Sequence, residues 1–396
     1  FLYDIVGAEA FNAGKGSAED VAVEALDKRT LRVGLRRPAP YFPHLTTFVV
    51  TYPVRRDLVE KYGPAWTEPE NIAVTGAFVP VEHLHEYRIV AKPNPHWALG
   101  EQRIDRLEIY MTAEKSTALN LFVSGHMDIV LDMLPLAIPA YRGEPEYFNG
   151  SKLEVRYVAF RLDEAPVDDV RVRKALAMSI QRTEIPNALK GGELPTKSWL
   201  PPGMFGYDAT IGHGYDPDAA RALLADAGYP DGSGFPPTTL LFRAGDDWKL
   251  AAENLQQQWK RELGIDITIE TREQKAFFGE IDGEAPPPAH LARWVADFPD
   301  PENFMSLFKS NSGNNSLGFG SGRYDELVEG AVRTDDVAKR RAMYAEAQRI
   351  LVVDEVAMIP IYTAAQNVLI APGLDGVQFN AMGDARLGAV GWEVKR

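Results

Sequence analysis

"LEIYMTAEKSTALNLFVSGHMDIVL", residues 107–131, changes its apolar period twice. Leu107, Ile109 and Met111 alternate like the half-buried face of a strand. Ala118, Leu121 and Phe122 then recur at helical spacing up to Gly125, a natural C-terminal stop, and Ile129, Val130 and Leu131 form a second apolar run. Strand, helix and strand in that order predict a unit of an α/β sheet.

The interleaving continues toward the C-terminus. Leu153, Val155, Tyr157 and Ala159 alternate, and "DDVRVRKALAMSIQRTEI" (168–185) predicts a helix capped by Asp169, with Val172, Ala175, Leu176, Ser179 and Ile180 on one face. Asp216 and Pro217 open a third helix that carries Ala220, Leu223, Leu224 and Ala227 to Gly228. A longer helix over 248–263, with Ala252, Leu255 and Trp259 inward, leads through Gly264 to the strand "IDITIE" (265–270). Two amphipathic helices near 324–332 and 337–351 precede a last apolar strand, "VAMIPIYT" (356–363). The segments 190–208 and 282–291, rich in Pro and Gly, read as loops on a compact body.

Bulk properties narrow the function. The chain has 396 residues, more than one typical core, which predicts two lobes. Its formal charge is -14, spread along the chain, and this argues against a nucleic-acid partner. No apolar run reaches the roughly 18 residues of a membrane span. The absence of cysteine excludes disulfides, thiol catalysis and cysteine-ligated metal, and is compatible with an oxidising compartment.

Seven segments, in order, carry a resemblance: "YGPAWTEPENIAVTGAF", "PNPHWALG", "DVRVRKALAMSIQR", "PPGMFGYD", "LLADAGYPDG", "WVADFPDPENF" and "SGNNSLGF". Together they resemble the oligopeptide/dipeptide-binding class (family 5) of extracytoplasmic solute-binding proteins that serve ABC transporters, over nearly the whole chain. The resemblance implies an α/β, two-lobed periplasmic-binding-protein-like fold with two crossover strands and a ligand cleft between the lobes. Residues 1–157 would be the remainder of the first lobe, with the end of an accessory subdomain at the N-terminus. Residues 158–362 would form the second lobe, and residues 363–396 would return to the first. The family's opening strands would lie upstream of Phe1, leaving the first lobe incomplete. The expectation is then a monomer when complete, with a missing N-terminal segment as a partner of this chain. Implied partners are a peptide or peptide-like small molecule and the permease subunits of an ABC importer. The implied location is periplasmic or otherwise extracytoplasmic.

The site expected from the resemblance centres on "ARWVADFPDPENF" (292–304). In peptide-binding members the aspartate of W-x-A-D receives the ligand's α-ammonium group, and here the motif reads Trp294, Val295, Ala296, Asp297. A desolvated ammonium needs an anionic acceptor, because burying either ion alone costs several kcal/mol. The plainer alternative is that Asp297 caps the turn or the helix beginning near Pro301, a task open to Asp300 as well. The backbone edge at Arg293–Val295 would pair with an extended peptide. Arg293 replaces the family's arginine-alanine-glycine-tryptophan spacing and would either reach a ligand carboxylate or face solvent. The crossovers are expected near 157–162 and 361–367, with Tyr157, Phe160 and Tyr362 as cleft-lining aromatics or as core packing.

Other chemistry is weaker. His83 and His85 share a strand face but have no third metal ligand nearby in sequence, so they read as a surface pair. "GFGSGR" (318–323) lacks the ending of a phosphate loop, and His290 reads as a strand-edge residue rather than a base. No nucleophile, base or metal constellation emerges, and the expectation is a binding protein without cofactor, not an enzyme. The altered arginine region leaves a second ligand class open: a nickel complex, a sugar, an opine-like conjugate or a peptide-like antibiotic.

Overall fold

A computed structural model of the chain describes residues 1–112, 114–283 and 286–392, so part of the 282–291 loop lies outside the described residues. The contacts group into two units. One comprises Phe1–Tyr52, Leu153–Ile185 and Pro195–Thr363; the other comprises Pro53–Lys152, Pro186–Leu194 and Ala364–Arg396. Two long strands, Tyr147–Phe160 and Met358–Ile370, each contribute residues to both units.

In the first unit the strands lie in the order Ile267–Arg272, Thr238–Arg243, Ala289–Val295, Tyr147–Phe160 and Met358–Ile370. Ile267–Arg272 runs parallel to Thr238–Arg243. Ala289–Val295 is antiparallel to Tyr147–Phe160 along its whole length, from Ala289 opposite Phe160 to Val295 opposite Glu154. On its other side it meets Thr238–Arg243 only at Ala289 and His290.

Local signals place the helices of this unit. Asp169 accepts from the Arg171 N–H at the start of Val170–Met178, and Asp216 accepts from the Ala219 N–H at the start of Pro217–Asp226. Asp246–Leu263 buries Ala252, Leu255 and Trp259 and ends at Gly264, whose φ of 73° is the left-handed C-terminal stop. A side chain there would bring its Cβ to 2.5 Å from the Asp231 carbonyl oxygen, so space and conformation both require glycine. The helix expected over 168–185 instead breaks after Met178 and resumes as Glu184–Leu189. The cause is tertiary: the Gln181 N–H donates to Gln258 Oε1 at 2.6 Å on the long helix, outside any helical ladder. Ile180 remains fully buried.

Residues 1–52 pack on the same unit. Buried Asp4 accepts from the Tyr41 hydroxyl at 2.5 Å and pairs with Arg37 at 2.6 Å and Arg36 at 3.2 Å. The Tyr41 ring stacks on Phe298 at 5.6 Å, in a cluster with Leu45 and Val332.

The second unit contains an antiparallel sheet of Phe78–Leu84, Arg88–Pro93 and Leu107–Tyr110. The stretch 107–131 does form strand, helix and strand, but its two strands join different sheets: Ile129–Val130 pairs antiparallel with Leu369 and Ile370. This corrects the single α/β unit expected there. The helix Lys115–Val123 turns Ala118, Leu119 and Phe122 onto the Val130, Met133, Ile138 and Leu369 cluster, and a two-residue strand carries no periodicity from which to read its partner. Among the described residues no helix is long and apolar enough to cross a membrane.

Candidate functional site

The strand Ala289–Val295 delivers its last residues to a tight corner. The Ala296 N–H completes the ladder by donating to the Leu153 carbonyl at 2.8 Å, and Pro299 and Pro301 prevent further pairing. Ala296 and Phe298 are buried, so Asp297 between them points the other way and is half-buried.

Asn303 defines its orientation. The Asn303 Oδ1 accepts from the Trp294 indole N–H and from the Asp297 backbone N–H, each at 3.0 Å, and Asn303 Nδ2 donates to Asp297 Oδ2 at 2.9 Å. Asp297 Oδ1 takes no hydrogen bond, and no lysine or arginine is paired with this carboxylate, among the described residues. Burial raises the Asp297 carboxyl above the ordinary range, while the hydrogen bond from Asn303 acts the other way.

Capping at this corner belongs to Asp300. Its Oδ1 accepts from the Glu302 N–H at 2.9 Å, and Arg340 Nη2 contacts both carboxylate oxygens at 2.8 and 2.9 Å. The Asp297 carboxylate takes no backbone N–H at the start of the Glu302–Met305 helix, only the side-chain amide of Asn303, and Pro301 provides no cap bond.

Arg293 lies opposite Arg156 in the ladder, 3.7 Å from Glu154 Oε1, with about a third of its side chain exposed (36%). It joins a cationic cluster. Arg156 binds Glu154 Oε1 at 2.6 Å and Asp247 Oδ2 at 3.3 Å, and its guanidinium lies 4.1 Å from the centre of a Trp248 ring that Arg243 also approaches at 4.8 Å. Burial, then the nearness of Arg293 and Arg156, pushes Arg243 down to about 10. Three guanidiniums face two carboxylates, which leaves one net positive charge suited to an anion. Arg156, Arg243 and Trp248 were not legible as a group. The alternation that places Val155 and Tyr157 inward only says that Arg156 faces the other way.

Beyond His290 the strand Ala289–Val295 has no strand partner on its Thr238–Arg243 side among the described residues, so the backbone of 292–295 presents an edge there. Trp294 and Val295 are partly exposed along it. The three aromatics are packed. Phe160 has no exposed surface, Tyr362 is buried, and the Tyr157 ring meets Trp199 at 5.0 Å and Phe308 at 6.2 Å, edge to face. Core packing, the alternative to lining a cleft, describes them in this structure. His290 is not at a strand edge. It sits in the middle of the sheet, 6% exposed, with its ring against Phe277, and burial holds it neutral by lowering it to about 4.

In the second unit, Glu68 comes to His83 and His85, a third ligand type that sequence spacing did not bring to the pair.

Comparison with known proteins gives consistent matches. Residues 3–316 match the family model of bacterial extracellular solute-binding proteins, family 5 (middle region). The chain is 30% identical to the periplasmic oligopeptide-binding protein OppA of Salmonella typhimurium, over 92% of this chain and 68% of that protein. It is 29% identical to the oligopeptide-binding protein OppA of Bacillus subtilis, over 97% and 73% respectively. Among solved structures, the periplasmic oligopeptide-binding protein OppAIV of Borrelia burgdorferi superposes with a TM-score of 0.88 at 26% identity, covering 98% of this chain and 79% of that one.

Proposed function

Because the chain belongs to family 5 of the bacterial extracellular solute-binding proteins, we propose that it captures peptides and delivers them to an ABC importer, with Asp297 receiving the ligand's α-ammonium. The observation that carries this reading is the state of the Asp297 carboxylate. One oxygen is held by Asn303, the other is unbonded among the described residues, and burial has raised the group, so a cation arriving there gains a partner that water does not fully solvate.

The remaining contacts follow from position along the same strand. The open edge at 292–295 offers backbone N–H and C=O groups to an extended peptide, which yields affinity without selecting side chains. Trp294 and Val295 would flank the first ligand residues, and Arg293, with the Arg156 and Arg243 cluster behind it, would attract a ligand carboxylate. Tyr157, Phe160 and Tyr362 serve as packing behind these residues. The two contact units are read as the two lobes, with Phe1–Tyr52 grouping with the second lobe rather than, as expected, with the first, and the strands Tyr147–Phe160 and Met358–Ile370 are read as the crossovers. The relatives named periplasmic support an extracytoplasmic location, and no enzymatic role is assigned.

Native mass spectrometry of the purified chain tests the ligand class. A ladder of co-purifying peptide masses is the expected result. One discrete non-peptide mass would favour a nickel complex, sugar, opine-like conjugate or peptide-like antibiotic instead.

A further inference from the structure

His83 is the penultimate residue of the strand Phe78–Leu84, and His85 is the first residue of the turn that follows it. That turn holds His85 and is tightly closed: the Tyr87 N–H donates to the Leu84 carbonyl at 3.0 Å, and Glu86 adopts a φ of 61°. Glu68 arrives from a separate element, the short Gly63–Thr67 helical turn, and its backbone is fixed at both ends. Its N–H donates to the Ala65 carbonyl at 3.2 Å, and its own carbonyl accepts from the Asn71 and Ile72 N–H groups at 2.9 and 3.0 Å. All three residues belong to the second unit.

Their side chains converge. Glu68 Oε1 lies 3.0 Å from His85 Nε2, Glu68 Oε2 lies 3.8 Å from His83 Nδ1, and the imidazole rings are 3.9 Å apart at a tilt of 39°. One ligand atom from each residue falls within 4.8 Å of the other two. Ligand atoms around a tetrahedral Zn²⁺, each about 2.0–2.1 Å from the metal, are separated by about 3.3 Å, and the two carboxylate-to-imidazole distances bracket that value. Ion pairing accounts for each carboxylate contact taken singly, and the convergence of a nitrogen from both imidazoles on one carboxylate is the arrangement that a shared cation requires.

Two imidazoles and a carboxylate are the donor set of borderline divalent ions such as Zn²⁺, Ni²⁺ and Cu²⁺. Ca²⁺ and Mg²⁺ favour shells of oxygen. We propose that Glu68, His83 and His85 form a three-ligand site for a divalent transition ion of the Zn²⁺ class, its fourth position open to water, which ties the Gly63–Thr67 turn to the hairpin over 78–93. The three protein ligands plus an open position match the general pattern of accessible zinc sites. The site stands on residues of the second unit alone and is independent of the peptide reading.

Calorimetric titration of ZnCl₂ into the chelator-treated, dialysed full chain tests it. The expected result is one equivalent bound at micromolar affinity or tighter, with a zinc-dependent rise in melting temperature. Glu68→Gln, His83→Ala and His85→Ala should each weaken binding by at least about tenfold and remove that rise, while melting like the parent in the absence of metal. Failure of the parent chain to take up zinc overturns the proposal, as does zinc binding that survives unchanged in all three variants.

Discussion

Asn303 holds Asp297 from two directions: its Oδ1 accepts from the Asp297 backbone N–H at 3.0 Å, and its Nδ2 donates to Asp297 Oδ2 at 2.9 Å. The same Oδ1 also takes the Trp294 indole N–H. One buried carboxamide therefore sets the backbone, the carboxylate and the neighbouring indole together.

Replacing Asn303 by alanine should loosen all three. Two donors lose their acceptor, at a cost of about 1–3 kcal/mol for each group left buried and unsatisfied. The expected outcome is a lower melting temperature and a roughly tenfold loss of peptide affinity, as an unheld carboxylate samples other rotamers. Calorimetry and thermal denaturation of Asn303→Ala provide both readings.

Asp300 and Asp297 should separate stability from binding. Asp300 is 5% exposed, caps the following turn and pairs with Arg340, and removing one partner of a buried ion pair costs about 3–5 kcal/mol. Asp300→Ala is expected to lower stability strongly and to leave peptide affinity within about twofold of the parent at a temperature where the variant is folded. Chemical denaturation paired with binding calorimetry checks this. An Asp300→Ala chain as stable as the parent would remove the capping assignment.

Stability near this corner should depend on pH through Glu302. Burial, then the nearness of Asp300, pushes its carboxyl up to about 7, against 4.5 for an unperturbed glutamate. The folded state therefore holds this proton more tightly than the unfolded chain. The contribution is fully present below about pH 4.5 and is lost as pH rises through 7. His290 acts in the opposite sense: lowered to about 4, it contributes stability that is present above its ordinary 6.5 and lost as pH falls toward 4. Glu302→Gln should remove the loss between pH 5 and 8 and melt higher than the parent at pH 8, by about 2 °C or more. Melting curves across that range decide it.

Arg293 should affect ligands more than folding. Its side chain is one-third exposed and 3.7 Å from Glu154 Oε1, an oxygen that Arg156 holds more closely, at 2.6 Å. Arg293→Ala is expected to leave the melting temperature nearly unchanged. It should reduce affinity for peptides with a free carboxylate more than for their amidated forms. Equal effects on both would place the arginine outside ligand recognition.

What could be read in the sequence was mostly local. Asp169, Asp216 and Gly264 act where their chemistry acts, at helix ends, and each does there what its residue type suggests. Sheet membership was not readable, because the pairing of Ile129–Val130 with Leu369 and Ile370 joins residues far apart in the chain. The same limit hid the site's supports. Asn303 in "DPENF" looks like any turn asparagine until the corner folds it back on Trp294 and Asp297. Arg243 and Trp248 belong to a different strand and helix from Arg156, and only the sheet order stacks them. The motif Trp294–Asp297 was visible because its residues are consecutive. The packing of Tyr157, Phe160 and Tyr362 was not, since alternation gives a residue's face but not what covers it.

The most direct measurement compares one short peptide with its N-acetylated form by calorimetry, against both the parent chain and Asp297→Asn. Acetylation should weaken binding to the parent by about a hundredfold, close to 3 kcal/mol, and should cost the Asn variant little more than the substitution already does. Equal affinity of the parent for the free and acetylated peptides, or an Asn variant that discriminates between them as the parent does, would contradict recognition of the ammonium group by Asp297.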